Sequence, residues 1–169
     1  PETPSDWVEE ELGGVEIFDD RLKSRLHTIT RDFFARPGVL VPESTGGCTA
    51  KTRAAYRFFS NKQVNMNIIL QPHVEATIGR INEHKVVLAV QDTTSLNYKV
   101  NHEIEGLGPI NTKERSGMGL ILHDTMAFSV TGTPLGVLDA QCWARNPNDI
   151  GKRSRRKELP IEQKESNKW

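Results

Sequence analysis

The sequence predicts an α+β fold, with helices first and strands after them. Apolar residues recur at helical spacing as far as residue 82. At residue 85 the period changes to a nearly continuous apolar and β-branched run, Lys85-Val86-Val87-Leu88-Ala89-Val90-Gln91-Asp92. Thr131-Gly132-Thr133-Pro134 is a tight-turn signal between two apolar segments, which predicts a β-hairpin over 119–143.

Each element has its own signal. Asp6-Trp7-Val8-Glu9-Glu10-Glu11-Leu12 reads as a short helix stopped by Gly13-Gly14. Asp19 or Asp20 is a good N-cap for a helix over roughly 20–35, whose stripe is Leu22, Leu26, Ile29 and Phe33. Pro37-Gly38 ends it, and 37–47 read as loop. Cys48 or Thr49 opens a helix over roughly 49–60, with Ala54, Ala55, Phe58 and Phe59 facing inward. A helix over about 66–82 carries Ile68, Ile69, Val74, Ile78 and Ile81, and its Pro72 is tolerable only near the start.

The run 85–91 reads as a strand buried on both faces, with Asp92 at its end. A polar loop over about 97–117 follows, then strands over 120–130 and 135–143. The polar, basic tail 144–169 is expected to be mobile. The division is 1–83, helical, and 84–169, strands and tail. The strand part lacks a following amphipathic helix to cover it, so it reads as unfinished.

At 169 residues, 36% hydrophobic and 26% charged, the chain is globular in composition and long enough for one ordinary core or two small ones. No apolar run approaches the roughly 18 residues of a membrane helix. The acidic N-terminus is no secretory signal, and without a starting Met the chain is expected to be processed, trimmed or incomplete. Cys48 and Cys142 lack partners at metal spacing and read as reduced, partly buried thiols of a cytoplasmic protein.

A formal net charge of zero hides an asymmetry. Residues 1–20 hold eight acids and no base, whereas 21–62 hold nine Lys or Arg and two acids, Asp32 and Glu43. A second basic cluster is Lys152-Arg153-Arg155-Arg156-Lys157. Segregated blocks of one sign suit a polyanionic partner, and equally suit solvated helix faces. The 49–59 segment interleaves Lys51, Arg53 and Arg57 with Tyr56, Phe58 and Phe59, a pattern that suits a helix contacting phosphates or entering a major groove.

Asp92 is the most informative residue for chemistry. A carboxylate ending a buried strand is costly unless it binds a metal or hydrogen-bond donors, so it reads either as a Mg²⁺ ligand or as a cap of the following turn. A two-metal site needs further acids. Asp124 is a weaker candidate, expected to face solvent or a cross-strand base, and Asp139 weaker still. His123 reads as a satisfied structural residue or as a general base. No nucleophile elbow, Walker loop or H-E-x-x-H is present, and Gly106-Leu107-Gly108 is no dinucleotide signal.

Together these motifs are more specific. The Asp6-Trp7 helix precedes Phe18-Asp19-Asp20-Arg21-Leu22-Lys23-Ser24-Arg25-Leu26. Then come Ala50-Lys51-Thr52-Arg53-Ala54-Ala55-Tyr56-Arg57-Phe58, Ser60-Asn61, and Val90-Gln91-Asp92-Thr93-Thr94-Ser95-Leu96-Asn97-Tyr98. Lys164-Glu165-Ser166-Asn167-Lys168-Trp169 closes the chain. This order resembles the transposon-five (Tn-five) type transposases of the IS-four insertion-sequence family over nearly the whole chain.

The resemblance implies a helical domain that binds transposon-end double-stranded DNA, followed by the first three strands of a ribonuclease-H-like core. It implies Asp92 as the first of three catalytic carboxylates and as a Mg²⁺ ligand. Arg21, Lys23, Arg25, Lys51, Arg53 and Arg57 become candidate DNA contacts. The family's second Asp and its Glu come later than Trp169, so the expectation is a chain that binds DNA and does not cut it alone. The implied setting is the bacterial cytoplasm, at the nucleoid, with no membrane partner and with room for a homodimer on DNA. A rival reading is a non-catalytic protein that occupies transposon ends and inhibits transposition. A small-molecule hydrolase or protein-interaction module would need a pocket of convergent polar groups, which the sequence does not reveal.

Overall fold

The computed structural model describes residues 6–98, 104–111, 117–151 and 158–168. The basic cluster Lys152–Lys157 lies outside the described residues. The chain divides into two compact units, 1–83 and 84–169.

The first unit is helical: α1 (Trp7–Leu12), α2 (Asp20–Ala35), α3 (Val41–Ser44), α4 (Thr49–Phe59) and α5 (Met66–Ile81). Local chemistry sets most of these ends. The Asp6 carboxylate accepts from the Val8 N–H, Asp19 from the Arg21 N–H at 2.8 Å, and Asn65 from the Ile68 N–H at 3.0 Å. Pro37-Gly38 follows α2 as expected, but 37–47 is not all loop, because α3 forms a single turn with Pro42 near its start. Pro72 sits inside α5 and is buried, although its ring supplies no donor to that turn.

The core joins Val8 and Leu12 of α1 to Val15, Ile17, Leu26, Ile29, Ala55 and Phe58. Leu22, Phe33, Ile68 and Ile69 pack against its edge. The predicted α2 stripe is therefore the buried one. One inward assignment needs correction, since Phe59 is 50% exposed, and Ile78 of α5 is exposed to a similar degree. In α5 the buried positions are Pro72 and Thr77, and α1 packs against this helix.

Much of the acidic N-terminal block is used inside this unit. Asp6 pairs with Arg31, and Glu9 lies 3.5 Å from His27. Glu11 accepts from the Arg80 guanidinium and shares a 2.7 Å hydrogen bond with His73 Nδ1, which ties α1 to α5. Burial pushes the Glu11 carboxyl upward, but the Arg80 and His73 hydrogen bonds and charges together outweigh it and hold the group below the usual carboxylate range.

The second unit is an antiparallel sheet. Strand β1 (Val87–Tyr98) pairs along its full length with β3 (Met118–Ser129). The other side of β3 takes β2 (Gly108–Pro109) at one end and β4 (Pro134–Trp143) along the rest. Gly119 makes this crossing feasible, since a Cβ there would lie 1.8 Å from the Leu96 carbonyl oxygen. The hairpin turn falls where the sequence places it, with Gly132 at φ 85°. The described tail folds back: Glu165 accepts from Trp143 Nε1 and Arg145 Nε, each at 2.8 Å.

β1 departs from expectation. It is not a central strand buried on both faces. Among the described residues it pairs only with β3, and Leu88, Val90 and Tyr98 are each nearly half exposed. An apolar run records a demand for cover, whereas strand order is set by which partners reach it. Both thiols, expected to be partly buried, are exposed and unpaired. No helix of the described residues is long and apolar enough to cross a membrane.

The Glu11 cluster yields a pH-dependent expectation. A carboxyl held low in the folded state adds stability above its unfolded value, near 4.5, and loses it as pH falls through the folded value. Glu11→Gln should cost about 1.5–3 kcal/mol near neutral pH, the range for hydrogen bonds to charged groups. The gap to the wild type should close on acidification. Urea unfolding followed by the helical circular dichroism signal reads both effects, and a gap that widens in acid would refute this account.

Candidate functional site

The first candidate site is built on α2 and α4. Ala55 and Phe58 are buried, and Lys51 stands one turn before Ala55, so Lys51, Ala55 and Phe58 share one side of α4 at i, i+4, i+7 spacing. Arg53, Tyr56, Arg57 and Ser60, at i, i+3, i+4, i+7 spacing, share the opposite side, and all four are exposed. Tyr56 is 52% exposed. Arg53 and Arg57 make no ion pair among the described residues.

Lys51 is differently placed. Its Nζ lies 2.8 and 3.0 Å from the two carboxylate oxygens of Asp32 on α2. The Asp32 side chain is only 16% exposed. On α2, Arg21, Arg25, Thr28 and Asp32 recur at i, i+4, i+7, i+11 and form one stripe, while Lys23 falls on another side. Arg21 is drawn toward Asp19, at 3.3 Å, and Arg21, Ser24 and Arg25 line a shallow depression with Asp20. The Arg21 side-chain hydrogen bond, helped by the Arg21 backbone N–H, holds the Asp19 carboxyl below its usual range. Lys23 and Arg25 make no ion pair among the described residues. The six basic candidates thus separate into exposed, unpaired cations (Arg53, Arg57), half-buried ones (Lys23, Arg25) and paired ones (Arg21, Lys51).

The first unit also contains a cleft that the sequence did not reveal, of about 760 Å³, lined by Trp7, Leu12, Phe59, Met66 and Leu70 among others. Its polar wall includes Glu11 and His73, already bonded to each other. Four separate helices, α1, α2, α4 and α5, contribute to its lining, so no local motif announces the cleft.

The second candidate site is Asp92. It does not end its strand: β1 continues to Tyr98, and Asp92 is exposed at mid-strand. Its directly opposite residue on β3 is Asp124. Opposite residues of an antiparallel pair share a face, so the two carboxylates stand side by side. Asp124 therefore faces neither a cross-strand base nor open solvent alone, because register places an acid across from it. Asp139 opposes Thr125, which puts it on the other face, where it accepts from Gln141. His123 is buried and shares a 2.7 Å hydrogen bond with the Thr93 hydroxyl. That bond favours the structural reading of this histidine. Among the described residues no group of three or more His, Cys, Asp or Glu is placed to hold a metal ion.

Like charges directly across a strand pair oppose its formation. Asp92→Asn should therefore stabilise the sheet by roughly 0.2–1 kcal/mol at low ionic strength. The gain should shrink in high salt. Thermal unfolding at two salt concentrations measures it, and a destabilised Asn variant would show that the carboxylates do not repel.

Residues 4–64 match the family model described as transposase DNA-binding. This helical region, which contains α1 to α4 and the exposed Arg53–Tyr56–Arg57 face, is similar to the DNA-binding domains of transposases.

Proposed function

We propose that the chain is the N-terminal portion of a cut-and-paste transposase and binds the double-stranded DNA of transposon ends through its first unit. The observation that carries this reading is the coincidence of the transposase DNA-binding match, residues 4–64, with the exposed basic and aromatic side of α4. Arg53 and Arg57 are placed to contact phosphates, and Tyr56 between them offers a phenol hydroxyl and a flat ring. Arg25, with Arg21, extends the basic surface along α2, and Lys23 flanks it. A DNA partner of this kind places the protein at the bacterial nucleoid, in the cytoplasm.

The second unit is read as the opening of a ribonuclease-H-like core of the Tn-five, IS-four type. Its antiparallel strands and the acid on the first of them support that reading. Asp92 is then the first catalytic carboxylate, and Asp92 with Asp124 offers the hard oxygen donors that Mg²⁺ takes. Bound there, the ion would supply Lewis-acid assistance to phosphoryl transfer on DNA. Two carboxylates retain Mg²⁺ weakly, since the ion keeps most of its waters. The residues present therefore fit part of such a site, and binding is the activity proposed for this chain.

Mobility-shift titration with a duplex tests the reading. Binding should weaken steeply as salt rises, because each neutralised phosphate releases counterions. Arg53→Ala with Arg57→Ala should weaken binding and lower the salt slope by about 0.9 per lost contact. Asp92→Asn should leave binding unchanged. Absence of binding at low salt would refute the reading, as would a double variant that binds like the wild type.

A further inference from the structure

Lys51 and Arg53 are two residues apart, are both basic and lie on the same helix, yet they point in opposite directions. Lys51 continues the buried Ala55–Phe58 side toward α2, where Asp32 receives it with both oxygens. Two features make this pair more than a surface contact. First, α4 starts without a side-chain cap and without an acid in its first turn, so Lys51 stands at the positive end of the helix dipole, where a cation is disfavoured. Asp32 supplies from α2 the negative charge that this helix end lacks. Second, Asp32 lies in line with Arg21 and Arg25, where an unpaired carboxylate would repel a phosphate backbone.

We infer that Lys51 is a positioning residue of the DNA interface and not a phosphate contact: through Asp32 it pins the start of α4 to α2 and neutralises the acid on the basic stripe. The inference rests on the DNA-binding reading above and assigns the cations of that site to two jobs. Arg53 and Arg57 meet the phosphates, and Lys51 sets the presentation of the helix that carries them. Near its first turn, the paired hydroxyls of Thr45 and Thr52, 2.7 Å apart, hold a neighbouring seam, between the end of α3 and α4.

The test is the slope of log affinity against log salt for the full chain on one duplex, compared across variants. Lys51→Met should weaken binding roughly two- to fivefold, the scale of a surface charge pair, because Asp32 is unmasked. Asp32→Asn with Lys51→Met removes the repulsion but not the lost pin, so it should return only part of that loss, and at the wild-type slope, since no phosphate contact has been removed. Lys51→Arg, which keeps the pair, should bind like the wild type. Asp32→Asn alone, nearly isosteric and expected to fold, should not tighten binding. Arg57→Ala serves as the reference, with a slope lower by about 0.9.

A double variant whose slope falls by that same amount would make Lys51 a phosphate contact and overturn the inference. Tighter binding by Asp32→Asn would overturn it equally, because the freed lysine would then be reaching DNA. Failure of the wild type to bind any duplex would instead sink the DNA-binding reading itself.

Discussion

Ala55 and Phe58 enter the core of the helical unit one turn apart, against Leu26 and Ile29. That pair of contacts fixes the rotation of α4 about its own axis, and the rotation decides the fate of every other side chain on it. Arg53, Tyr56 and Arg57 must then face outward, and Lys51 must face α2. Were the helix turned by a third, Tyr56 would be buried and Lys51 would join the surface cations. A large apolar side chain deep in a packed core has few alternative settings, so the basic surface inherits its precision from Phe58.

The same economy governs the acidic block that opens the chain. Its charges look like a repulsive counterpart to the basic helices, but three of them are consumed in holding the unit together. Asp6 meets Arg31 on α2, Glu9 lies near His27, and Glu11 joins His73 and Arg80 on α5. Helix α1 has only six residues and would not persist alone in water. Val8 and Leu12 anchor one side of it, and these ion pairs orient the other. Arg31 and Arg80 are engaged in this way, whereas Arg53 and Arg57 stay exposed and unpaired among the described residues.

In the second unit the constraint is register. Each residue of β1 has one partner on β3, and a shift of one position would move every side chain to the other face. The observed register sets Asp92 against Asp124 and Thr93 against His123. Two acids side by side on an exposed strand are unfavourable for the sheet itself. The catalytic reading proposed for Asp92 would give this placement a reason, since a bound cation would offset the repulsion.

The sequence by itself determined the helices, the change to strands near residue 85, the hairpin turn and the α2 stripe. These are governed by local chemistry: Asp19 and Asn65 cap their own helices, Gly132 supplies the turn, and periodicity marks Leu22, Leu26, Ile29 and Phe33 as one side. The short α3 and the two-residue β2 escaped notice because neither is long enough to show a period. What the tertiary structure decided are relations between distant residues. The apolar run of β1 was legible, but its place at the edge of the described sheet depends on which strands pair with it. Asp92 stood out in the sequence, whereas Asp124 became its neighbour only through pairing across 32 positions of chain. Lys51 read as one more cation of a basic helix, and only Asp32, 19 residues earlier, set it apart from Arg53. Local signals fix what each segment becomes, and packing fixes which way its charges point, because a charge acquires its role from the group that folding brings opposite it.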